Sequence, residues 1–261
     1  METKPKENSV LELAFQMGSL LLESGAEIFR IQETMERVVQ SGQVERYGFY
    51  VLTNAIFANG MEQGVAHTTQ IKFVKGAKMH IGRISAVNQL SRELVAGERT
   101  VGEAFERLAE IRAMPLVGPP WSLLCCGIGC ACFCYVLAGS GIDLLCSFFC
   151  GFLLESFLYF TDRYAIAPFI QHLLASALVA LLACLFAAVF PGVHMDMVIT
   201  GGIVRLVPGV ALTTSIRDFF NGDYLSGTIR LIDALMMGVS LAIGAGLVMR
   251  LYSMITGGLP L

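Results

Sequence analysis

The chain has 261 residues, 55% hydrophobic and 15% charged, with a formal net charge of -3 and a mean hydropathy of +0.65. Soluble domains carry about 25% charged residues, so an ordinary soluble globule is excluded, and the chain lacks the strongly basic balance of a nucleic-acid binder. Of 18 Lys and Arg, 13 precede Trp121 and no Lys follows Lys78, so a hydrophilic first part adjoins a hydrophobic second part.

Val10 to Leu22 reads as an amphipathic helix, with Val10, Leu13, Ala14, Met17, Leu20 and Leu21 at helical spacing and a capping box from Ser9 and Glu12. Interrupted by Glu12 and Gln16 and lacking a cleavage-like end, it does not read as a secretory signal. Gly25 and Ala26 separate it from a second helix ending near Gly42, with Ile28, Ile31, Met35, Val38 and Val39 on one face. Strand signals follow at Phe49 to Ala58, then turn-forming Asn59-Gly60 and Gly64, then an alternating Val65 to Val74, which together predict a hairpin. Helices resume over Ile81 to Ala96 and Thr100 to Arg112, the latter opened by a second capping box, Thr100 with Glu103. Residues 1–114 therefore predict one small α/β domain, and a Pro-containing linker, 115–120, leads into the apolar part.

Residues 121–261 hold five apolar runs near the roughly 20 residues that a bilayer core demands. They are Trp121 to Ala138, Ile142 to Phe160, Ala165 to Phe190, a short interrupted Met197 to Leu212, and Leu231 to Ile255. The expected fold class is a polytopic α-helical membrane protein with five transmembrane helices and a small cytoplasmic α/β N-terminal domain. Arg107, Arg112, Arg163, Arg217 and Arg230 fall on one side of these spans, so the positive-inside rule puts the N-terminus in the cytoplasm and Leu261 outside.

Between the last two runs the sequence reads VPGVALTTSIRDFFNGDYLSGTIR, with Pro, Gly, Arg and Asp where a membrane helix should continue. Broken, charged backbone at membrane depth survives only where it lines a cavity or is packed in protein, and such breaks point to transporter binding sites. The substrate-binding candidates are Pro208 and Gly209 for freed backbone groups, the hydroxyls of Thr213 and Thr214, Arg217 for a bidentate carboxylate contact, and Asp218 for an ammonium. A simple kink and a headgroup-level anchor are the plainer readings. Glu155 and Asp233 lie within spans and are proton-coupling candidates, because low dielectric favours a neutral carboxyl; Asp143 and Asp196 read as solvated groups near the outer ends. Ala234, Gly238, Ala242 and Gly246 recur every four residues, a stripe on which another helix can pack, and Asp233 can pair with Arg230 one turn earlier. Cys125, Cys126, Cys130, Cys132 and Cys134 lack CxxC spacing and read as small apolar packing residues. No metal or cofactor is expected.

The stretches LLLESGAEIFRIQETMERV, AVNQLSRELVAGERTVGEAFERLAEI and PGVALTTSIRDFFNGDYLSGTIRLIDAL together resemble the ThrE-type threonine/serine exporter family, over nearly the whole chain. The resemblance implies a cytoplasmic N-terminal domain, five membrane helices, and a second five-helix half that can be a separate polypeptide. The chain thus looks like the large subunit of a split exporter in a bacterial inner membrane, with a second, smaller membrane subunit as partner and room for a homo-oligomer. It implies secondary export of threonine/serine-type amino acids driven by the proton-motive force. Split systems of the family are also tied to succinate, which leaves dicarboxylates as the alternative substrate. A reading of another class is a scaffold subunit or a membrane-anchored hydrolase using Glu23, Ser24, Glu27, His67 and His80. Against an enzyme stands the absence of a GxSxG elbow, a P-loop or HExxH.

Overall fold

The computed structural model describes residues 9–257 apart from 43, 63, 64, 75, 77 and 165, and only the backbone of 65–68. The expected turn residue Gly64 and the side chain of His67 lie outside the described residues. The chain forms two compact units, one of Met1–Leu116 with Thr214–Arg230 and one of Val117–Thr213 with Leu231–Leu261.

In the first unit, helix α1 (Val10–Glu23) starts at Ser9, whose side chain accepts from the Glu12 N–H. Only half of the expected capping box forms, because the Glu12 carboxylate takes Gln16 and Gln70 while Ser9 Oγ donates to Glu62 at 2.5 Å. Gly25, at φ +75, reverses the chain in a left-handed conformation that costs glycine little. Helix α2 (Ile28–Gln40) follows and buries Ile28, Ile31, Met35, Val38 and Val39, as their spacing predicts. Strands β1 (Val44–Val51), β2 (Ala55–Glu62) and β3 (Val65–Phe73) make an antiparallel sheet in the order β1-β2-β3. The expected strand Phe49 to Ala58 is therefore two strands, joined at residues 52–54 with Leu52 N–H bound to Ala55 O at 2.8 Å. Asn59-Gly60 does not turn but runs inside β2, beside a register shift in its pairing with β3. Gly60 is small for a packing reason: a Cβ there would sit 2.8 Å from Leu11 Cδ2 and 2.9 Å from the Arg46 carbonyl. Helices α3 (Ile81–Val95) and α4 (Val101–Arg112) complete the unit, and the Thr100–Glu103 capping box is present in both directions. Val87, Leu90, Leu94, Ala104, Leu108 and Ile111 join the core of α1 and α2.

The second unit holds α5 (Pro119–Val136), α6 (Gly141–Thr161), α7 (Pro168–Val189) and α8 (Met195–Ile203), then a 3-10 turn, Val204–Leu206. Helices α9 (Gly209–Phe220) and α10 (Tyr224–Thr256) each cross from one unit to the other. Four helices are long and apolar enough to cross a membrane, and a fifth span exists if the bent pair Met195–Leu206 and Gly209–Phe220 counts as one. Helix α10 has 33 residues, about 50 Å of helix against a hydrocarbon core of about 30 Å, and it starts seven residues before the expected span. The exposed side chains Leu145, Phe149, Leu153, Ile170, Leu174, Leu181 and Leu185 give α6 and α7 outward faces suited to lipid. The chain is a multi-pass membrane protein.

Because lipid is as apolar as leucine, membrane helices associate through close packing rather than hydrophobic burial. The second unit follows that rule. A Cβ at Gly127 would lie 2.8 Å from Phe148, one at Gly151 2.6 Å from Cys130 Sγ, one at Gly201 2.7 Å from Ser147 Oγ, and one at Gly202 2.7 Å from Val179. Cys130, Cys134, Cys146, Cys150 and Cys184 are buried free thiols that fill the same contacts. On α10 the residues of the expected stripe divide: Ala234 is buried and Ala242 is exposed, while a Cβ at Gly238 or Gly246 would meet nothing within 4 Å. In the part of α10 that belongs to the second unit, Gly244 carries an intrachain contact: a Cβ there would overlap Ser176 Oγ and the Leu173 carbonyl of α7. A strict four-residue repeat drifts off one face of a 3.6-residue helix, so the chain's own packing leaves the stripe after one step.

Candidate transport site

Pro208 supplies no N–H and holds the preceding residue extended; Val207 sits at φ -65, ψ 125, and the helix pair bends there by 52°. The break is short. Val207 N–H reaches Val204 O at 3.3 Å, Gly209 N–H reaches Val207 O at 2.8 Å, and Leu212 N–H reaches Pro208 O at 3.0 Å. The segment expected to be broken backbone is therefore mostly the amphipathic helix α9 and the start of α10.

Within α9 the candidate residues have separate surroundings. Pro208 is half-buried and Gly209 exposed. Thr213 turns its hydroxyl back onto its own helix, donating to Gly209 O at 3.0 Å, and Thr214 is half-buried. Arg217 is not an open fork, since one guanidinium nitrogen lies 2.5 and 2.6 Å from the two Glu27 carboxylate oxygens. Glu27 stands where a solute carboxylate would have to bind, and Arg30 approaches it at 3.6 Å. Asp218 is buried and faces Arg230 at 3.4 Å. Arg230 therefore pairs with Asp218 rather than with Asp233, which is exposed and forms no ion pair among the described residues.

In the second unit the sequence reading missed a cluster. Glu155, in the last two turns of α6, accepts from Ser122 Oγ of α5 at 2.6 Å and faces Arg205 Nε at 3.4 Å. The Glu155 side chain is 15% exposed and that of Arg205 55%. Glu155 Oε2 accepts no hydrogen bond, although it is buried. Arg205 occupies the 3-10 turn immediately before the break. A signal for this pair existed, because an acid and a base in neighbouring apolar spans are costly unless they meet.

At the other end of α6, Asp143 is fully buried rather than solvated. It accepts from Ser140 N–H and Oγ at 2.7 Å each and from His194 N–H at 2.8 Å, with His194 Nδ1 at 2.9 Å. Those bonds hold the carboxylate away from solvent without leaving it unpaired. They also raise the His194 pKa, chiefly through the side-chain hydrogen bond to Asp143.

Among the described residues, the hydrolase candidates do not form a nucleophile and base. Ser24 Oγ is buried without a partner, while His80 caps α3, with Nδ1 accepting from Arg83 N–H and Nε2 3.2 Å from Pro115 O. Glu23 pairs with Lys72 at 3.2 Å. Among the described residues no group of three or more His, Cys, Asp and Glu side chains could hold a metal ion.

Apolar helices, a bent helix pair and an arginine–glutamate pair beside the bend are features that solute carriers share. Residues 12–252 match a family model whose description is "Putative threonine/serine exporter". The chain belongs to the ThrE family. Two similar ThrE-family relatives are each called "Probable succinate transporter subunit YjjP". One, from Klebsiella aerogenes, is 22% identical over 96% of this chain and 97% of its own length. The other, from Escherichia coli strain K12, is 22% identical over 97% and 98%. No solved structure matches the chain.

Proposed function

We propose that the chain is the membrane subunit of a secondary exporter of small carboxylate solutes, driven by the proton-motive force. The observation that carries this reading is the pair of arginines bracketing the helix break, Arg205 before it and Arg217 after it, each facing a glutamate. Guanidinium groups recognise carboxylates, and a carboxylate is what threonine, serine and succinate share. The family description favours hydroxy-amino acids and the names of the two relatives favour succinate, so both belong to the substrate class. On this reading Pro208, Gly209, Thr213, Thr214, Arg217 and Asp218 line the solute's route, and Glu155 and Asp233 are its proton-coupling acids. The membrane is a bacterial inner membrane, with the N-terminal domain in the cytoplasm and the C-terminus outside, because the basic residues cluster beside one set of span ends. A second, smaller membrane subunit completes the carrier. Exposed small residues at Ala242 and Gly246 on α10 suit such a contact.

Efflux of threonine, serine and succinate from loaded cells tests the reading, comparing cells with this chain, with the second subunit, with both and with neither. Faster efflux of at least one solute only when both are present is expected. Equal efflux in all four would refute it. Hydrolysis of a substrate by the purified chain would instead favour an enzyme.

A further inference from the structure

Arg205 has one carboxylate within ion-pair distance among the described residues, and its geometry is incomplete. Glu155 Oε2 lies 3.4 Å from Arg205 Nε without hydrogen-bond geometry, and it accepts no hydrogen bond among the described residues. The other Glu155 oxygen is well held, by Ser122 at 2.6 Å. The Arg205 side chain is 55% exposed, and its two terminal nitrogens donate to no acceptor among the described residues. A planar guanidinium offers five donors that suit a carboxylate two at a time. A purely structural ion pair would be expected to use that fork fully; this one leaves its terminal face open.

We propose that Arg205 binds the carboxylate of the transported solute and that Glu155 is its internal counter-ion, holding the guanidinium loosely until the solute displaces it. This rests on the export reading and assigns a residue to its solute site. The terminal nitrogens of Arg205 make the two parallel hydrogen bonds, and Glu155 keeps its bond to Ser122 when the solute has entered. Ser122 is a positioning residue: it anchors the counter-ion on α6 so that the arginine, on the turn next to Pro208, is the group that exchanges partners. The loose contact has a function here, because a well-made bidentate pair would compete too strongly with the solute.

Uptake of labelled succinate, threonine and serine into everted membrane vesicles measures transport in the export direction, with the full chain and its second subunit at matched abundance. Loss of a charge-assisted bidentate contact should raise KM for the carried solute about 10- to 100-fold in Arg205→Gln. Arg205→Lys, which keeps the charge without the fork, should raise KM several-fold, and Glu155→Gln should lower it by removing the competitor; variants of Glu155, which also lose a proton-coupling acid, are read by solute exchange, which needs no net proton movement. The double variant Glu155→Gln/Arg205→Gln guards against misfolding from one unpaired charge and should behave as Arg205→Gln alone. Wild-type KM in the double variant would overturn the inference, because the pair would then be only a clamp; so would an unchanged KM in Arg205→Gln. Wild-type vesicles that carry none of the three solutes would overturn the export reading and this inference with it.

Discussion

Gly151 on α6 offers a direct test of close packing in the second unit. An added Cβ would sit 2.9 Å from the Cys126 carbonyl oxygen, about 0.5 Å inside the 3.4 Å at which ordinary contact begins, and 2.6 Å from Cys130 Sγ. The oxygen is backbone, so relief requires α5 and α6 to separate rather than one side chain to rotate. Such overpacking costs about 1–3 kcal/mol. Gly→Ala inside a helix also gains roughly 0.5–1 kcal/mol of propensity, which would mask part of the loss. Gly129 on α5 provides the correction, since a Cβ there would meet nothing within 4 Å. The difference between Gly151→Ala and Gly129→Ala isolates the steric cost, because propensity cancels. Unfolding of the purified full chain in mixed micelles by added SDS should place Gly151→Ala about 1–3 kcal/mol below Gly129→Ala. Glu155 lies one turn beyond Gly151 on the same face, so the separation should also weaken its 2.6 Å bond to Ser122. Equal midpoints for the two variants would refute the claim that α5 and α6 meet through this glycine.

Gly244→Leu should destabilise the isolated chain, because its Cβ already overlaps Ser176 and the Leu173 carbonyl. Gly238→Leu and Gly246→Leu should leave the isolated chain's stability unchanged and reduce co-purification of the second subunit; a stability loss equal to that of Gly244→Leu would contradict this. Arg217→Lys should change stability by less than about 1 kcal/mol, as its pair with Glu27 is partly exposed and Lys keeps the charge, while slowing export because the fork is lost; wild-type export rates would reduce Arg217 to an ion-pair partner or a topological anchor. The raised His194 pKa means that the imidazolium–Asp143 interaction is fully present below the ordinary histidine value near 6.5 and disappears as pH climbs through the raised value. Thermal stability in detergent should therefore fall as pH rises above about 6.5, and His194→Gln should flatten that slope. An identical slope in the variant would remove the assignment.

Much of the architecture was legible because periodicity reports burial directly. Ile28, Ile31, Met35, Val38 and Val39 share a face at helical spacing, and all five are buried. The apolar runs were long enough to identify helices by length alone. Where the reading failed, it took a residue's local preference for its role in packing. Asn59-Gly60 carries a strong turn signal, yet Gly60 is there so that Leu11 and the Arg46 carbonyl can approach β2. The four-residue stripe was visible on α10, but Gly244, off that stripe, makes the close contact with α7. Single-chain periodicity cannot say which face meets which neighbour. The candidate site was legible as a region and not as a set of partners. Pro208 marked the bend, but the residues that engage the flanking arginines, Glu155 and Glu27, lie 50 and 190 positions away from them in sequence. Glu155 was recognisable as an intramembrane acid, and the cost of leaving it unpaired implied a cation at the same depth. Arg205 was one of five basic residues after Trp121, and the cost argument narrows those to the ones inside apolar spans. Charge balance between apolar helices therefore carried more about the candidate site than the turn chemistry that first drew attention to it.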